Sequence, residues 1–71
     1  MSDIKEIGLR DEFIRLGQLL KLANLAENGI DARRLVEEGL VIVNGDIETR
    51  RGRQLRSGDV VEVNGTGVRI A

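Results

Sequence analysis

The sequence predicts an α+β fold in which two N-terminal helices pack on a small, mainly antiparallel sheet. The first observation is a helical repeat of apolar residues, spaced by three and four, over 16–23 and again over 32–36. The second is a change of period after residue 40, where short β-branched runs are separated by Asn-Gly pairs. A chain of 71 residues has room for one core, so we expect a single domain over 1–71.

Both predicted helices have recognisable boundaries. The apolar stripe of the first consists of Leu16, Leu19, Leu20 and Ala23, and the helix is expected to begin near residue 14. For the second helix, Asn28 is the predicted N-cap and Asp31 lies in the first turn, near the positive end of the helix dipole. Gly39 suits the left-handed position that ends a helix. Arg33 and Arg34 lie off the apolar stripe and are expected to face solvent, where acids four residues later would pair with them.

The second half of the chain predicts two hairpins. Residues 41–43 are followed by Asn44 and Gly45, which suit the positive φ angles of a tight turn, and the return strand is expected over 47–49. The stretch 50–56 is expected to be irregular. The second hairpin joins 60–63 to 68–70 through a turn over 64–67. Residues 1–10 show a poor strand pattern and are expected to be extended.

The composition excludes several classes of function. Without histidine or cysteine the chain lacks the usual general base near neutral pH, a thiolate nucleophile and the commonest zinc ligands. We therefore expect a non-catalytic protein with no metal or other cofactor. One aromatic residue, Phe13, leaves little platform for stacking single-stranded bases. The sequence shows no targeting segment and no window of roughly 20 apolar residues, which predicts a cytoplasmic protein with no membrane partner.

The net charge of −1 conceals an uneven distribution. Ten acidic and six basic residues give residues 1–48 a formal charge of −4, whereas two acidic and five basic residues give 49–71 a charge of +3. Four arginines fall within 50–56, which contains no acid. Arginine forms paired hydrogen bonds with phosphate. The run is therefore either an ordinary solvated surface or a phosphate-binding edge, which cations on the helices would join if they pack beside the hairpin.

The order of these signals resembles the S-four RNA-binding domain, or alpha-L motif, named after the fourth small-subunit ribosomal protein. The resemblance covers about residues 13–63 and is carried by IRLGQLLK (14–21), ARRLV (32–36), EGLVIVNG (38–45) and GDVV (58–61). The phrase ETRRGRQL (48–55) is similar to the small stand-alone bacterial type.

This resemblance implies non-catalytic binding of structured RNA, either ribosomal or transfer RNA, through an Arg-rich face formed by the helices and the hairpin. The positions it carries over as RNA-binding candidates are Lys21, Arg33, Arg34, Asn44, Gly45, Arg50, Arg51 and Arg53. Among them, Asn44 and Gly45 form the turn, which is a structural role first. Further partners implied are the ribosome or ribosome-assembly proteins.

One alternative remains open at the level of sequence. The acidic first part of the chain is also compatible with a small protein-interaction adaptor associated with the ribosome. Binding that survives removal of RNA would favour the adaptor, and binding that depends on salt and on the arginines would favour the RNA-binding domain.

Overall fold

The structure, a computed structural model, describes residues 4–71 and has the predicted α+β architecture. Residues 4–71 form two helices and seven strands. They are β1 (Ile4–Ile7), β2 (Ile14–Arg15), α1 (Leu16–Leu22), α2 (Gly29–Glu37), β3 (Val41–Val43), β4 (Asp46–Ile47), β5 (Gln54–Leu55), β6 (Val60–Val63) and β7 (Thr66–Ile70).

The strands form two sheets. The larger has the order β1-β7-β6-β3-β4, and every pairing in it is antiparallel except the parallel pairing of β1 with β7. The smaller consists of β2 and β5, whose antiparallel pairing sets the start of α1 against the stretch that follows β4. A mainly antiparallel sheet is therefore confirmed, with one parallel edge.

The predicted apolar stripes form one buried cluster with the inward side chains of the sheet. Alternate residues of β3, β6 and β7 face this cluster, as the two-residue period of a half-buried strand requires. Burial of each large aliphatic side chain contributes about 1.5–3 kcal/mol. The fully buried large members are Leu16, Leu19, Leu20, Leu55, Ile70, Val36, Val41, Val43, Val61 and Val68.

Local signals at the helix ends and turns are confirmed. The Asn28 side chain accepts a hydrogen bond from the Asp31 N–H at 2.8 Å and so caps α2. Gly39 has φ +72°, in the left-handed region. Asn44 and Gly45 have φ +50° and +88°, as the tight β3–β4 turn requires.

Four boundaries differ from the prediction. Residues 14–15 form β2 and not the start of a helix, because they pair with β5, a strand inside the stretch expected to be irregular. The first hairpin returns over Asp46–Ile47, and its last cross-strand bond is donated by the Glu48 N–H to the Val41 carbonyl at 2.9 Å. The turn of the second hairpin consists of residues 64 and 65 only, and β7 begins at residue 66.

The N-terminal prediction of an extended segment is also refined. Within it, residues 4–7 form β1, which pairs with β7. Its weak local pattern did not indicate a strand because the partner lies at the other end of the sequence. The part of this prediction that concerns 1–3 lies outside the described residues. Neither helix within 4–71 has the length and apolar character needed to cross a membrane.

Candidate nucleic-acid interface

An open groove of about 390 Å³ lies between α1, the start of α2 and the segment 48–53, which we call the basic loop. Three of its lining residues carry a positive charge and none carries a negative charge. The lining consists of Arg15, Gly17, Gln18, Lys21, Gly29, Ala32, Arg51 and Gly52. The charged side chains of this concave surface are therefore all cationic.

The basic loop is attached to the start of α1 by backbone hydrogen bonds. The first N–H groups of a helix have no partner within the helix. Here the Leu16 N–H donates to the Arg53 carbonyl at 2.8 Å and the Gly17 N–H donates to the Arg51 carbonyl at 3.0 Å. The Arg15 side chain adds a bond from Nη1 to the Gly52 carbonyl at 3.0 Å. The loop therefore replaces a side-chain cap on α1 and forms one wall of the groove.

The close approach of this loop depends on the glycine in α1. An ideal Cβ at Gly17 would lie 2.9 Å from Cγ of Arg51 and 3.4 Å from its Cδ. Carbon atoms at such a distance overlap, so the Arg51 side chain takes this path across α1 only because residue 17 has no side chain.

Glu48 holds the inner side of the basic loop. Its side chain is only 7% exposed, and the carboxylate accepts hydrogen bonds from the N–H, Nε and Nη2 of Arg50 at 3.0, 3.2 and 3.1 Å. Nη1 of Arg53 donates a fourth bond at 3.0 Å. The Arg50 side chain is the chief cause that lowers the pKa of Glu48 to about 2, against the effect of burial. Arg50 and Arg53 are thus partners of an internal carboxylate.

The arginines of α2 are also paired. Arg33 lies 2.8 Å from Glu37, and Arg34 bridges Asp31 at 2.9 Å and Glu38 at 3.0 Å. The i,i+4 pairs expected from the sequence are confirmed. The bond to Glu37 raises the pKa of Arg33, and the bonds to Asp31 and then to Glu38 raise the pKa of Arg34. Arg33 follows Gly29 by one helical turn on the same side of α2 and so flanks the groove, whereas Arg34 lies about 100° further round.

The turn residues lie elsewhere. Asn44 donates from Nδ2 to Asp59 at 3.0 Å and accepts the Val60 N–H at 2.9 Å, which fixes the β3–β4 turn to the start of β6. Although partial burial opposes it, the hydrogen bonds from the Arg56 N–H and from Asn44 lower the pKa of Asp59. Neither Asn44 nor Gly45 lines the groove. Their structural role agrees with the sequence analysis.

The structure thus brings together two of the residues that the sequence singled out, Lys21 and Arg51, and adds Arg15, which the sequence analysis did not select. Arg15 lies over the ring of Phe13, with Cζ 5.8 Å from the ring centroid. The sequence did contain a signal for the approach of the basic loop to α1. Glycine inside a helix costs about 1 kcal/mol relative to alanine, so Gly17, next to the first residue of the apolar stripe, indicated a close approach of another segment.

Comparison with known proteins gives relatives of similar length. One is the probable ribosome maturation protein RlbA of Bacillus subtilis (strain 168), which is 46% identical over 61 residues, 86% of each chain. Another is YbcJ of Escherichia coli (strain K12), which is 35% identical over 57 residues, 80% of this chain and 81% of that one.

Solved structures share the fold. The solution structure of YbcJ from E. coli, described as revealing an alpha-L motif involved in RNA binding, matches with a TM-score of 0.74 and 32% identity over 100% of this chain and 91% of that one. The 30S ribosomal protein S4e of Thermoplasma acidophilum matches with a TM-score of 0.64 and 26% identity over 84% of this chain and 32% of that one. The family model described as the S4 domain matches residues 7–71. The chain therefore belongs to the S4 domain family.

Proposed function

We propose that residues 1–71 form one non-catalytic RNA-binding domain, which binds structured ribosomal or transfer RNA through the groove between α1, α2 and the basic loop. One observation carries this proposal: the groove gathers Arg15, Lys21 and Arg51 and is lined by no acid. A concave surface of this kind attracts phosphates, and binding releases the counterions condensed on the RNA.

The three groove cations also differ in their partners from the four other arginines that the sequence singled out. Within residues 4–71, none of the three forms an ion pair, whereas Arg33, Arg34, Arg50 and Arg53 each bind a carboxylate. Acidic residues that lie farther away than the Debye length, about 8 Å at physiological salt, contribute little to the potential at the groove. An overall charge of −1 is therefore compatible with RNA binding.

The chemistry of the groove favours folded RNA over single strands. Its walls present guanidinium, ammonium, amide and backbone groups, which bind phosphates and 2′-hydroxyls, and aromatic platforms for unpaired bases are scarce. The name of the B. subtilis relative, a probable ribosome maturation protein, favours ribosomal over transfer RNA as the ligand. The other candidate contacts, Arg33, Arg34, Arg50 and Arg53, belong to the rim of this site in our proposal.

The proposal is tested by the affinity of the purified protein for deproteinised ribosomal RNA, transfer RNA and poly(U) across a salt series. We expect ribosomal RNA to bind most tightly and poly(U) most weakly, with log K falling linearly as log salt rises. The triple variant Arg50→Glu/Arg51→Glu/Arg53→Glu is expected to lose binding. An affinity that does not depend on salt, or that this variant retains, would refute the proposal.

A protein-interaction adaptor is the second candidate, favoured by an apolar patch on the outer face of the sheet. Leu40 and Ile47 are 38% and 64% exposed, and Ile47 pairs across the strands with Ile42. The acid Glu62 pairs with Ile42 from the other side, which makes this patch unsuited to RNA. Ribosome co-sedimentation after nuclease treatment, lost in Ile47→Ser and kept in Arg51→Glu, would favour the adaptor.

A further inference from the structure

We propose that Glu48 is a positioning residue for RNA binding: its carboxylate holds the basic loop so that the Arg51 side chain lies across Gly17 and faces the groove. This inference rests on the proposed RNA-binding function and deepens it. It assigns an acid, which would repel RNA directly, an indirect and favourable role in the binding site.

Glu48 is connected to Arg51 through contacts with the residues on either side of it. The carboxylate binds the backbone N–H of Arg50 on one side of Arg51 and the side chain of Arg53 on the other. The Arg53 N–H donates to the Arg50 carbonyl at 3.2 Å, which closes a tight turn around residues 51 and 52. Residues on both sides of Arg51 are therefore fixed by one buried carboxylate.

The Arg51 side chain passes close to Gly17 and lines the groove. Its backbone carbonyl accepts the Gly17 N–H, and its Cγ lies where a Cβ of residue 17 would be 2.9 Å away. Lys21 follows Gly17 by one helical turn and so lies on the same side of α1. The Arg51 side chain thus joins Lys21 in the lining of the groove, in which no acid opposes the two charges.

The positioning role predicts a change in RNA affinity opposite in sign to the change that simple charge repulsion predicts. Removal of an exposed acid from a protein that binds a polyanion ordinarily strengthens binding, because one repulsive charge is lost. A Glu48→Gln substitution removes the same charge, yet it releases Arg50 and Arg53 and with them the geometry of Arg51. The positioning role therefore predicts weaker RNA binding from a change that makes the protein less negative.

The experiment measures affinity for deproteinised ribosomal RNA, at a temperature where urea titrations show every variant to be folded. We expect Glu48→Gln to weaken binding about fivefold. Gly17→Ala changes no charge and is expected to weaken binding by a similar factor, because its Cβ displaces Arg51. It keeps the proposal testable if Glu48→Gln folds poorly.

Two matched controls separate position from composition. Glu37→Gln removes an acid that pairs with an exposed arginine on α2, and we expect unchanged or slightly tighter binding. Gly8→Ala adds a methyl group where no other atom lies within 4 Å, and we expect no change.

A double-mutant cycle provides a readout that a merely structural role would not move. If Glu48 acts through Arg51, Glu48→Gln adds little further loss to Arg51→Ala, and both variants reduce the slope of log K against log salt by about one. Glu48→Gln and Gly17→Ala binding as tightly as the wild type, while Arg51→Ala binds more weakly, would overturn the positioning role alone. Absence of wild-type binding would instead overturn the proposed function.

Discussion

The arginines of α2 and the cations of the groove carry the same formal charge but differ in what they have to neutralise. Arg33 and Arg34 are held at 2.8–3.0 Å by three carboxylates of their own helix. Lys21 and Arg51 converge on a surface where the described residues place no acid. Whether a cation is available to bind phosphate therefore depends on the acids spaced around it. A count of arginines overstates the binding surface for that reason.

The largest expected effect comes from reversal of charge on the two sides of this comparison. We expect Lys21→Glu/Arg51→Glu to weaken binding of ribosomal RNA about 100-fold, because two groove contacts are replaced by two repulsions. The matched variant Arg33→Glu/Arg34→Glu is expected to lose less than about fivefold. Filter binding at one fixed salt concentration measures both. Equal losses would mean that the paired arginines contribute as much as the groove.

The carboxylates of the two regions are compared through stability. Glu48→Gln is expected to lower the free energy of unfolding by about 2 kcal/mol, because a buried acceptor of four hydrogen bonds is replaced by a weaker one. Glu37, which makes a solvent-exposed pair, is expected to contribute less than about 0.5 kcal/mol when changed to glutamine. Urea denaturation of the three proteins checks the difference. A similar cost for both variants would show that the burial of Glu48 adds nothing.

The contribution of Glu48 to the free energy of unfolding is expected to depend on pH. The pKa of Glu48 falls from 4.5 to about 2 on folding, so its contribution is fully present above the unfolded value and is lost as pH falls through the folded one. The difference in unfolding free energy between wild type and Glu48→Gln is therefore expected to be greatest above pH 4.5, to shrink as the pH falls and to disappear below pH 2. Urea midpoints measured over this range test it. A difference that stays constant with pH would contradict it.

The smallest expected effect is a change in the salt dependence of RNA binding when a single arginine is replaced. Arg51→Ala is expected to reduce the slope of log K against log salt by about one, since one phosphate contact is lost. Arg34→Ala is expected to leave the slope nearly unchanged. The Arg34 guanidinium would have to leave its two carboxylate partners before it could bind a phosphate. Titrations at several salt concentrations give both slopes, and identical reductions would remove the distinction between paired and available charge.

Sequence patterns predicted the fold where the signals are local. The apolar period of α1 and α2, the Asn28 cap and the Asn44–Gly45 turn each depend on residues within one turn or one hairpin. The β1–β7 pairing and the short β2–β5 sheet were missed, because both join segments that are distant in sequence and have no pattern of their own.

The candidate site was predictable in its composition but not in its arrangement. Division of the charges at residue 48 placed Glu48 in the acidic part, one residue before the basic part whose arginines it binds. Two of the RNA-binding candidates predicted from the sequence, Lys21 and Arg51, line the groove. Which of the arginines would be taken up by Glu48 depends on the turn of the basic loop, and the linear order of residues does not indicate it.

The parallel edge of the sheet bears on how the molecule assembles during synthesis. Of the strands within residues 4–71, β1 is made first, yet its partner β7 follows it by more than sixty positions, with Ile4 opposite Gly67 and Ile7 opposite Ile70. Every residue that lines the groove lies between 15 and 52, so these segments emerge while β1 is still without its neighbour. Because closure of so long a loop is slow, we expect the first strand synthesised to be the last to join the sheet.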